Sequence, residues 1–501
     1  MFSMIQNQTL NTSKLPFLGL PSICSPRPNF VSVIENGVNG FLCHNTEEWE
    51  SAFKKLIDDP SLRKSMGENA KNSVLKHYSP ESVAKEQASL VIQGFNRVDR
   101  TSNKKHVLSV NCYYYPRSFG GATVVAEALN RQFIDDSEFE IHILTSLPEE
   151  YGAVNTLRRY EAYGQDCYGI VLPNILSESR QVINPDIDNA FLDVIDLVKP
   201  DVVHFHSIQG LGITMLRICA ERNIPVVVTT HDYWWLYEHQ FILSFKEAHK
   251  FRGSSNDSQN NTAAKIDYLE SKKREALSLA TMIISPSMFT TELYRKEGFS
   301  GALLNKNGVT YPKGVSSKKP GRPLRFGYAG GNTDIKGYHL IKYAFSHIAE
   351  NEARLIVVDN AINLGFKSFH ENDLAGLKNV EVVPAFTQEN MDEFFNSIDV
   401  LLYPTQSKES FGLTVREALI RNVWVITSDA GGAVEDILPG ENGFIIPFNN
   451  DGGTLLESVK ETIAHFSYLP QTEEVQLPHS HIRTFSEQYE ELKDIYRSCI
   501  K

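Results

Sequence analysis

The sequence predicts an α/β protein of doubly wound parallel sheets, with two full domains preceded by a partial third unit. Three observations predict it. Short apolar runs such as His106–Asn111, Asp201–His206, Pro225–Thr230 and Ile398–Tyr403 alternate with helix-like stretches, the rhythm of βα units. A stretch rich in Pro, Gly, Ser and Lys, Tyr311–Pro323, separates two such series as a linker would. One segment also occurs twice, since residues 21–42 align without gaps onto 424–445 and both end in an Asn-Gly-Phe turn before a strand.

Composition bounds the function. The 501 residues leave room for two or three domains, each able to bury a core. A net charge of −12 argues against a general nucleic-acid binder. Six scattered cysteines without a Cys-x-x-Cys pair fit a reduced compartment and no structural zinc. No run approaches the ~20 apolar residues of a membrane span, and residues 1–14 lack a signal peptide's apolar core. The expectation is a cytoplasmic protein.

Taken in order, residues 1–95 form the partial unit: strand, loop, short helix, Asn-Gly turn, strand, then helix-like runs at Trp49–Ile57 and Leu62–His77. Half a parallel domain cannot complete its sheet alone. Residues 96–105 read as a charged linker. The first full domain spans 106–310. Its opening strand meets Gly120-Gly121 and a helix over Ala122–Phe133, an arrangement that lets backbone approach a phosphate or sugar closely. Further elements are a strand at Phe139–Thr145, helices at Ile187–Val198 and Gly212–Arg222, and a strand ending at His231-Asp232-Tyr233-Trp234. His204 and His206 alternate along a neighbouring strand, where packing explains at least one of them. Asp186-Ile187-Asp188 mimics a metal-binding pair, but it follows a proline and opens a helix, so helix-terminal charge explains it better and no metal is assigned. After a polar loop, a helix over Lys265–Leu279 carries Lys272-Lys273-Arg274. That run reads as a solvated helix face or, alternatively, as a contact for anionic lipid or a lipid-linked diphosphate.

The linker covers 311–323, the second domain 324–484, and a closing helix 485–501. Lys336 starts the helix after the Leu324–Gly331 strand and turn, placed to neutralise a diphosphate as a point charge. Further strands fall at Leu355–Val358, Val380–Val383 and Val423–Thr427. The informative stretch is Tyr403–Leu419. Pro404 stops a buried strand, a polar loop follows, and Phe411-Gly412-Leu413 leads into a helix. Glu409 therefore sits beyond a strand's carboxyl end, where ligands of open α/β sheets bind, and Glu417 about one turn into the helix. A loop carboxylate can accept hydrogen bonds from sugar hydroxyls, and one on the helix can grip a ribose diol. Alone, two glutamates eight apart read first as solvated surface carboxylates.

Pro-x4-Glu-Ser-Phe-Gly-Leu-x3-Glu-Ala-Leu resembles the E-x7-E signature of the retaining nucleotide-sugar glycosyltransferases of the bacterial group 1 family (glycosyltransferase family four), which have the GT-B fold. The resemblance covers 106–500 as a full unit and 16–95 as a fragment of the C-terminal domain lacking the E-x7-E. It implies two Rossmann-like domains facing across a cleft, a final helix crossing back onto the first domain, and transfer of a sugar from a UDP- or GDP-type donor to a glycan or lipid-linked acceptor. The setting it implies is bacterial surface polysaccharide or lipopolysaccharide synthesis, with possible peripheral contact at the inner membrane. It implies no cofactor and no metal. Catalytic roles fall to His231 and Glu409; donor contacts to Gly330, Lys336, Phe411, Gly412, Leu413 and Glu417; the phosphate or acceptor loop to Gly120 and Gly121. The family usually carries an arginine where Gly330 stands, so one phosphate contact is missing and backbone N–H groups of Gly330, Gly331 and Asn332 would substitute in part. Two rivals share the cleft: a non-catalytic scaffold, and another GT-B enzyme such as a sugar-nucleotide epimerase.

Overall fold

A computed structural model of the chain describes residues 18–31, 33–79, 103–238, 240–243, 259–312, 314, 321–359, 362, 367–448, 451–465, 469, 477–479 and 481–500. The chain divides into two compact units, Met1–Ser102 and Asn103–Lys501. In the first, β1 (Ser22–Cys24) pairs in parallel with β2 (Gly40–Leu42). Two helices follow, Thr46–Asp58 and Pro60–Tyr78. Both start where short polar side chains satisfy free backbone donors. Asn45 accepts from the Glu48 N–H while Glu48 accepts from the His44 N–H, and Asp59 accepts from Ser61 and Leu62. Ile23, Cys43, Ala52, Leu56 and Met66 form a small core.

The second unit contains two parallel sheets. The first has the order β11-β10-β8-β7-β3-β4-β6-β5, with β3 Lys105–Val110, β4 Phe139–Leu147, β5 Leu157–Ala162, β6 Gln165–Val171, β7 Val202–Phe205, β8 Val226–Thr229, β10 Met282–Ser285 and β11 Leu303–Leu304. Its strands run parallel except β5, which turns back on β6. The sequence reading missed this hairpin. Its two-residue turn, Tyr163-Gly164, has both residues at positive φ (54° and 75°), the twist a tight hairpin needs, and Tyr163 gives no hint of it. The opening strand begins at Lys105, inside the expected linker, and the helix after it at Gly120 rather than Ala122. The basic helix likewise begins earlier, at Gln259.

The second sheet, order β14-β13-β12-β15-β17-β18, is parallel throughout. It comprises β12 Leu324–Tyr328, β13 Ala353–Asp359, β14 Val380–Pro384, β15 Val400–Tyr403, β17 Trp424–Ser428 and β18 Gly443–Ile446. The strand before the Glu409 loop is thus central and buried on both faces, as its unbroken apolar run requires. The final helix, Phe485–Cys499, packs Phe485, Tyr489, Leu492 and Tyr496 into the first sheet's core beside Phe133 and Phe139. It is tied there by Lys493 to Asp136 at 3.4 Å and Tyr496 to His204 at 2.7 Å.

The repeated segment folds twice into the same local structure. β1 pairs β2 as Ser22–Gly40, Ile23–Phe41 and Cys24–Leu42, and β17 pairs β18 at the aligned positions Val425–Gly443, Ile426–Phe444 and Thr427–Ile445. Asn39 accepts from the Glu35 N–H at 2.8 Å and donates to the Val33 carbonyl at 3.1 Å. Asn442 does the same with Leu438 and Asp436, at 2.7 and 3.1 Å. The Asn-Gly signature marks this turn because the asparagine side chain closes it.

Candidate functional site

The site forms around the loop that leaves β15. Gly412 caps the Leu413–Leu419 helix at φ 75°, and a Cβ there would lie 2.7 Å from the Ala433 Cβ, so only glycine fits. Beneath the loop lies Arg416, fully buried. Its guanidinium bonds the Asp436 carboxylate and the Phe411 carbonyl, reaches the Gly432 carbonyl at 2.9 Å, and stacks 3.8 Å from the centre of the Phe411 ring. Asp436 also receives Lys306 of the first domain at 2.5 Å. Arg416 thus locks the Glu409–Gly412 loop to the Gly431-Gly432 turn, a five-donor fork that lysine cannot reproduce.

On this scaffold Glu409 Oε1 accepts from Lys336 Nζ at 2.7 Å and from Thr405 Oγ1 at 3.1 Å. The turn carrying Lys336 is bound to the same loop, with the Gln406 N–H and Thr405 Oγ1 both on the Ile335 carbonyl. Gly330 has a steric explanation. A Cβ at this position would collide with the Tyr328 hydroxyl, which donates to the carbonyls of Gly331 (2.9 Å) and Lys336 (3.3 Å). Tyr328 fills the place that a longer side chain would need, which leaves Lys336 as the cation of this turn.

Glu417 is 3 % exposed, and its side chain accepts from Gln388 Nε2 at 3.0 Å. Burial raises its pKa against the pull of Gln388 and Arg421. A carboxylate desolvated this far is costly, the opposite of a solvated surface group. Phe411 is buried, while Leu413 remains partly open.

The first domain meets this loop directly. Ser410 Oγ donates to the His231 carbonyl, and Thr290 Oγ1 to the Ser410 carbonyl at 3.1 Å. Glu435 accepts from the Met288 and Phe289 N–H groups, capping the Met288–Lys296 helix from the opposite domain. β9 (Ile242–Leu243) pairs antiparallel with β16 (Ser407–Lys408), and the Phe241 ring lies 6.0 Å from Lys336 Nζ. His231 is 9 % exposed and contacts His206 at 2.8 Å, while His204 is held between Thr229 and Tyr496. Burial lowers the pKa of His231 to about 3, so it is a neutral imidazole at ordinary pH. Burial also pushes Asp232 up to about 6. Asp232 accepts from the Trp234 N–H and from Gln209. Gln209 belongs to a pocket of about 270 Å³ at the carboxyl ends of β3, β4, β6 and β7, also lined by Cys112, Arg117, Ser146, Asn174 and Gln181. Gly120 and Gly121 open their helix exposed, with free space around them.

One sequence expectation needs correction. Lys272-Lys273-Arg274 is neither a solvated face nor a free basic patch. Lys273 is buried on the Tyr237 carbonyl under Trp234, Arg274 pairs with Glu297, and Lys272 with Glu275. Asp186 and Asp188 do not converge, since one pairs with Arg180 and the other accepts from Thr214. Sequence reasoning missed Arg416, Tyr328, Gln388 and Asp232. Arg416 and Asp232 lay inside singled-out motifs, but nothing local shows that they are buried.

The description "Glycosyl transferases group 1" matches residues 17–73 and 315–464, and "Glycosyltransferase Family 4" matches 119–303. An uncharacterised 42.6 kDa protein in the cps region of Klebsiella pneumoniae is 23 % identical over 347 residues, 66 % of this chain and 87 % of that protein. The capsular polysaccharide biosynthesis glycosyltransferase CapM of Staphylococcus aureus is 30 % identical over 151 residues, 28 % of this chain and 39 % of CapM. Among solved structures, sucrose-phosphate synthase from Thermosynechococcus elongatus superposes with a TM-score of 0.57 at 15 % identity, covering 79 % of this chain and 99 % of that one. Anabaena HepE, solved with UDP and glucose, gives 0.51 at 15 %, covering 79 % and 100 %.

Proposed function

We propose, from the premise that this chain belongs to the group 1 glycosyltransferases and has their GT-B fold, that it moves a sugar from a nucleotide-diphosphate donor to a hydroxyl of a glycan or lipid-linked acceptor with retention of configuration. One observation carries this reading: Lys336 pairs with Glu409 on the loop that touches the His231 strand end, and Glu417 is buried on the helix that this loop opens.

In this reading Glu417 holds the ribose diol, using a carboxylate already desolvated for that task. Lys336 moves from Glu409 to the donor diphosphate, and Glu409 turns to the sugar hydroxyls. The bond between the anomeric carbon and the diphosphate oxygen breaks and the acceptor oxygen bonds that carbon. The acceptor's proton passes to the leaving diphosphate, whose growing charge the Lys336 ammonium stabilises without a metal ion. Neutral His231, held by His206, faces the sugar as a hydrogen-bonding partner. The pocket beside Gln209 and Arg117 takes the acceptor. HepE's complexes with UDP and UDP-glucose support a UDP-type donor, and the two capsule-associated relatives support a place in surface polysaccharide assembly. The segment matched at 17–73 is read as the remnant of a second C-terminal domain, which keeps the Asn39 turn but has Pro28-Asn29 and Ser32 where the working copy has Gly431-Gly432 and Glu435.

A thermal-shift screen against UDP, GDP, ADP and dTDP sugars in EDTA tests the reading. It predicts a shift with one nucleotide class, lost in Lys336→Ala. No shift with any class would favour the scaffold reading, and interconversion of the donor itself the epimerase reading.

A further inference from the structure

A second cluster of ligand-type side chains lies at the other end of the first sheet. In the parallel pairing of β3 with β4, His106 stands opposite Glu140 and Leu108 opposite His142, so His106, Glu140 and His142 share one face at the strands' amino-terminal end. His106 Nδ1 lies 3.0 Å from His142 Nε2, with the rings stacked at 5.2 Å, and His142 Nε2 lies 3.8 Å from Glu140 Oε1. All three ligand atoms fall within 4.8 Å of one another. In a tetrahedral site with bonds of 2.0–2.1 Å, neighbouring donor atoms sit about 3.3 Å apart. The observed 3.0 and 3.8 Å bracket that figure, and since all three atoms lie within 4.8 Å of one another, a rotamer shift of the half-exposed Glu140 side chain would close the set.

The surroundings are those of a metal-ligating imidazole. His142 Nδ1 faces Asp166 Oδ2 at 4.0 Å on the next strand, β6, and Asp166 is itself clamped by Arg159 at 3.0 and 3.1 Å. At 4.0 Å this carboxylate is beyond hydrogen-bond reach, but its negative charge favours a proton on His142 Nδ1 and so turns the Nε2 lone pair towards His106 and Glu140. His142 is 9 % exposed in its side chain whereas Glu140 is 43 % exposed, which leaves an approach and a position for water. We propose that His106, His142 and Glu140 bind one first-row transition ion of the zinc class, clasping β3 to β4. Six residues of strand, about 20 Å, separate His106 from Cys112 at the cleft end, so the ion is structural and takes no part in sugar transfer.

The test uses the untagged full chain, stripped with EDTA and dialysed, titrated with ZnCl2 by calorimetry and with Co2+ by visible absorption. The expectation is one ion per chain and the ligand-field spectrum of tetrahedral cobalt. Glu140→Gln should weaken binding at least tenfold, His142→Gln should abolish it, and Asp166→Asn should cost about 10- to 100-fold through the supporting shell. Glu140→Gln, on a side chain 43 % exposed, keeps the test decisive should His142→Gln fail to fold. Absence of stoichiometric binding, or affinity unchanged in Glu140→Gln, overturns the proposal whatever the protein does with nucleotides.

Discussion

Replacing Glu417 by glutamine should weaken donor binding and stabilise the ligand-free protein at the same time. Hydrogen bonds to a charged group contribute about 1.5–3 kcal/mol, so loss of the charged acceptor for the ribose should weaken UDP roughly 10- to 100-fold. The stability effect has the opposite sign. Burial holds the folded pKa of Glu417 above its unfolded value of 4.5, so protonation favours the fold. The wild type keeps that contribution below the unfolded pKa and loses it as pH rises through the folded pKa. Glutamine is free of the penalty and still accepts from Gln388. The variant should therefore unfold at a higher temperature than the wild type at pH 7.5, with the gap closing towards pH 4.5. Calorimetric titration with UDP and thermal unfolding at both pH values read the two effects. Unchanged UDP affinity together with unchanged or reduced stability at pH 7.5 would refute the assignment.

Other consequences follow from the same geometry. Gly412→Ala forces a side chain into positive φ against Ala433 and should cost about 2–4 kcal/mol in urea unfolding. Arg416→Met strips the buried Asp436 of its main partner and should cost about 3–5 kcal/mol, with Arg416→Lys rescuing little. Asp232, raised to about 6 from 3.8, favours the fold when protonated; the wild type should lose about 3 kcal/mol relative to Asp232→Asn as pH climbs from 4 to 6, and the difference should then stay flat. Deleting residues 1–102 should leave sugar transfer intact, measured as product formed per folded chain; loss of soluble, folded enzyme would contradict the remnant reading.

What could be read in the sequence was local. Pro404 ends an apolar run and Gly412 begins a helix, so the placement of Glu409 and Glu417 follows from chain order. The duplicated Asn-Gly turn was legible because its hydrogen bonds close within seven residues. Contacts between distant residues were not. Lys336 and Glu409 meet across 73 positions of sequence, and Tyr328 blocks Gly330 only once the turn is folded. Lys273 carries a charge that composition assigns to the surface, yet the Tyr237 carbonyl and the Trp234 ring give it a buried partner. The basic run therefore misled, since burial of a long cationic side chain depends on what closes over it.

A crystal structure with a bound nucleotide-diphosphate sugar tests the central claim most directly. The ribose hydroxyls should lie on Glu417, the diphosphate on Lys336 with the Lys336–Glu409 contact opened, and the sugar between Glu409 and His231. A nucleotide bound elsewhere, or one seated in the cleft while Lys336 and Glu409 stay paired, would contradict the account.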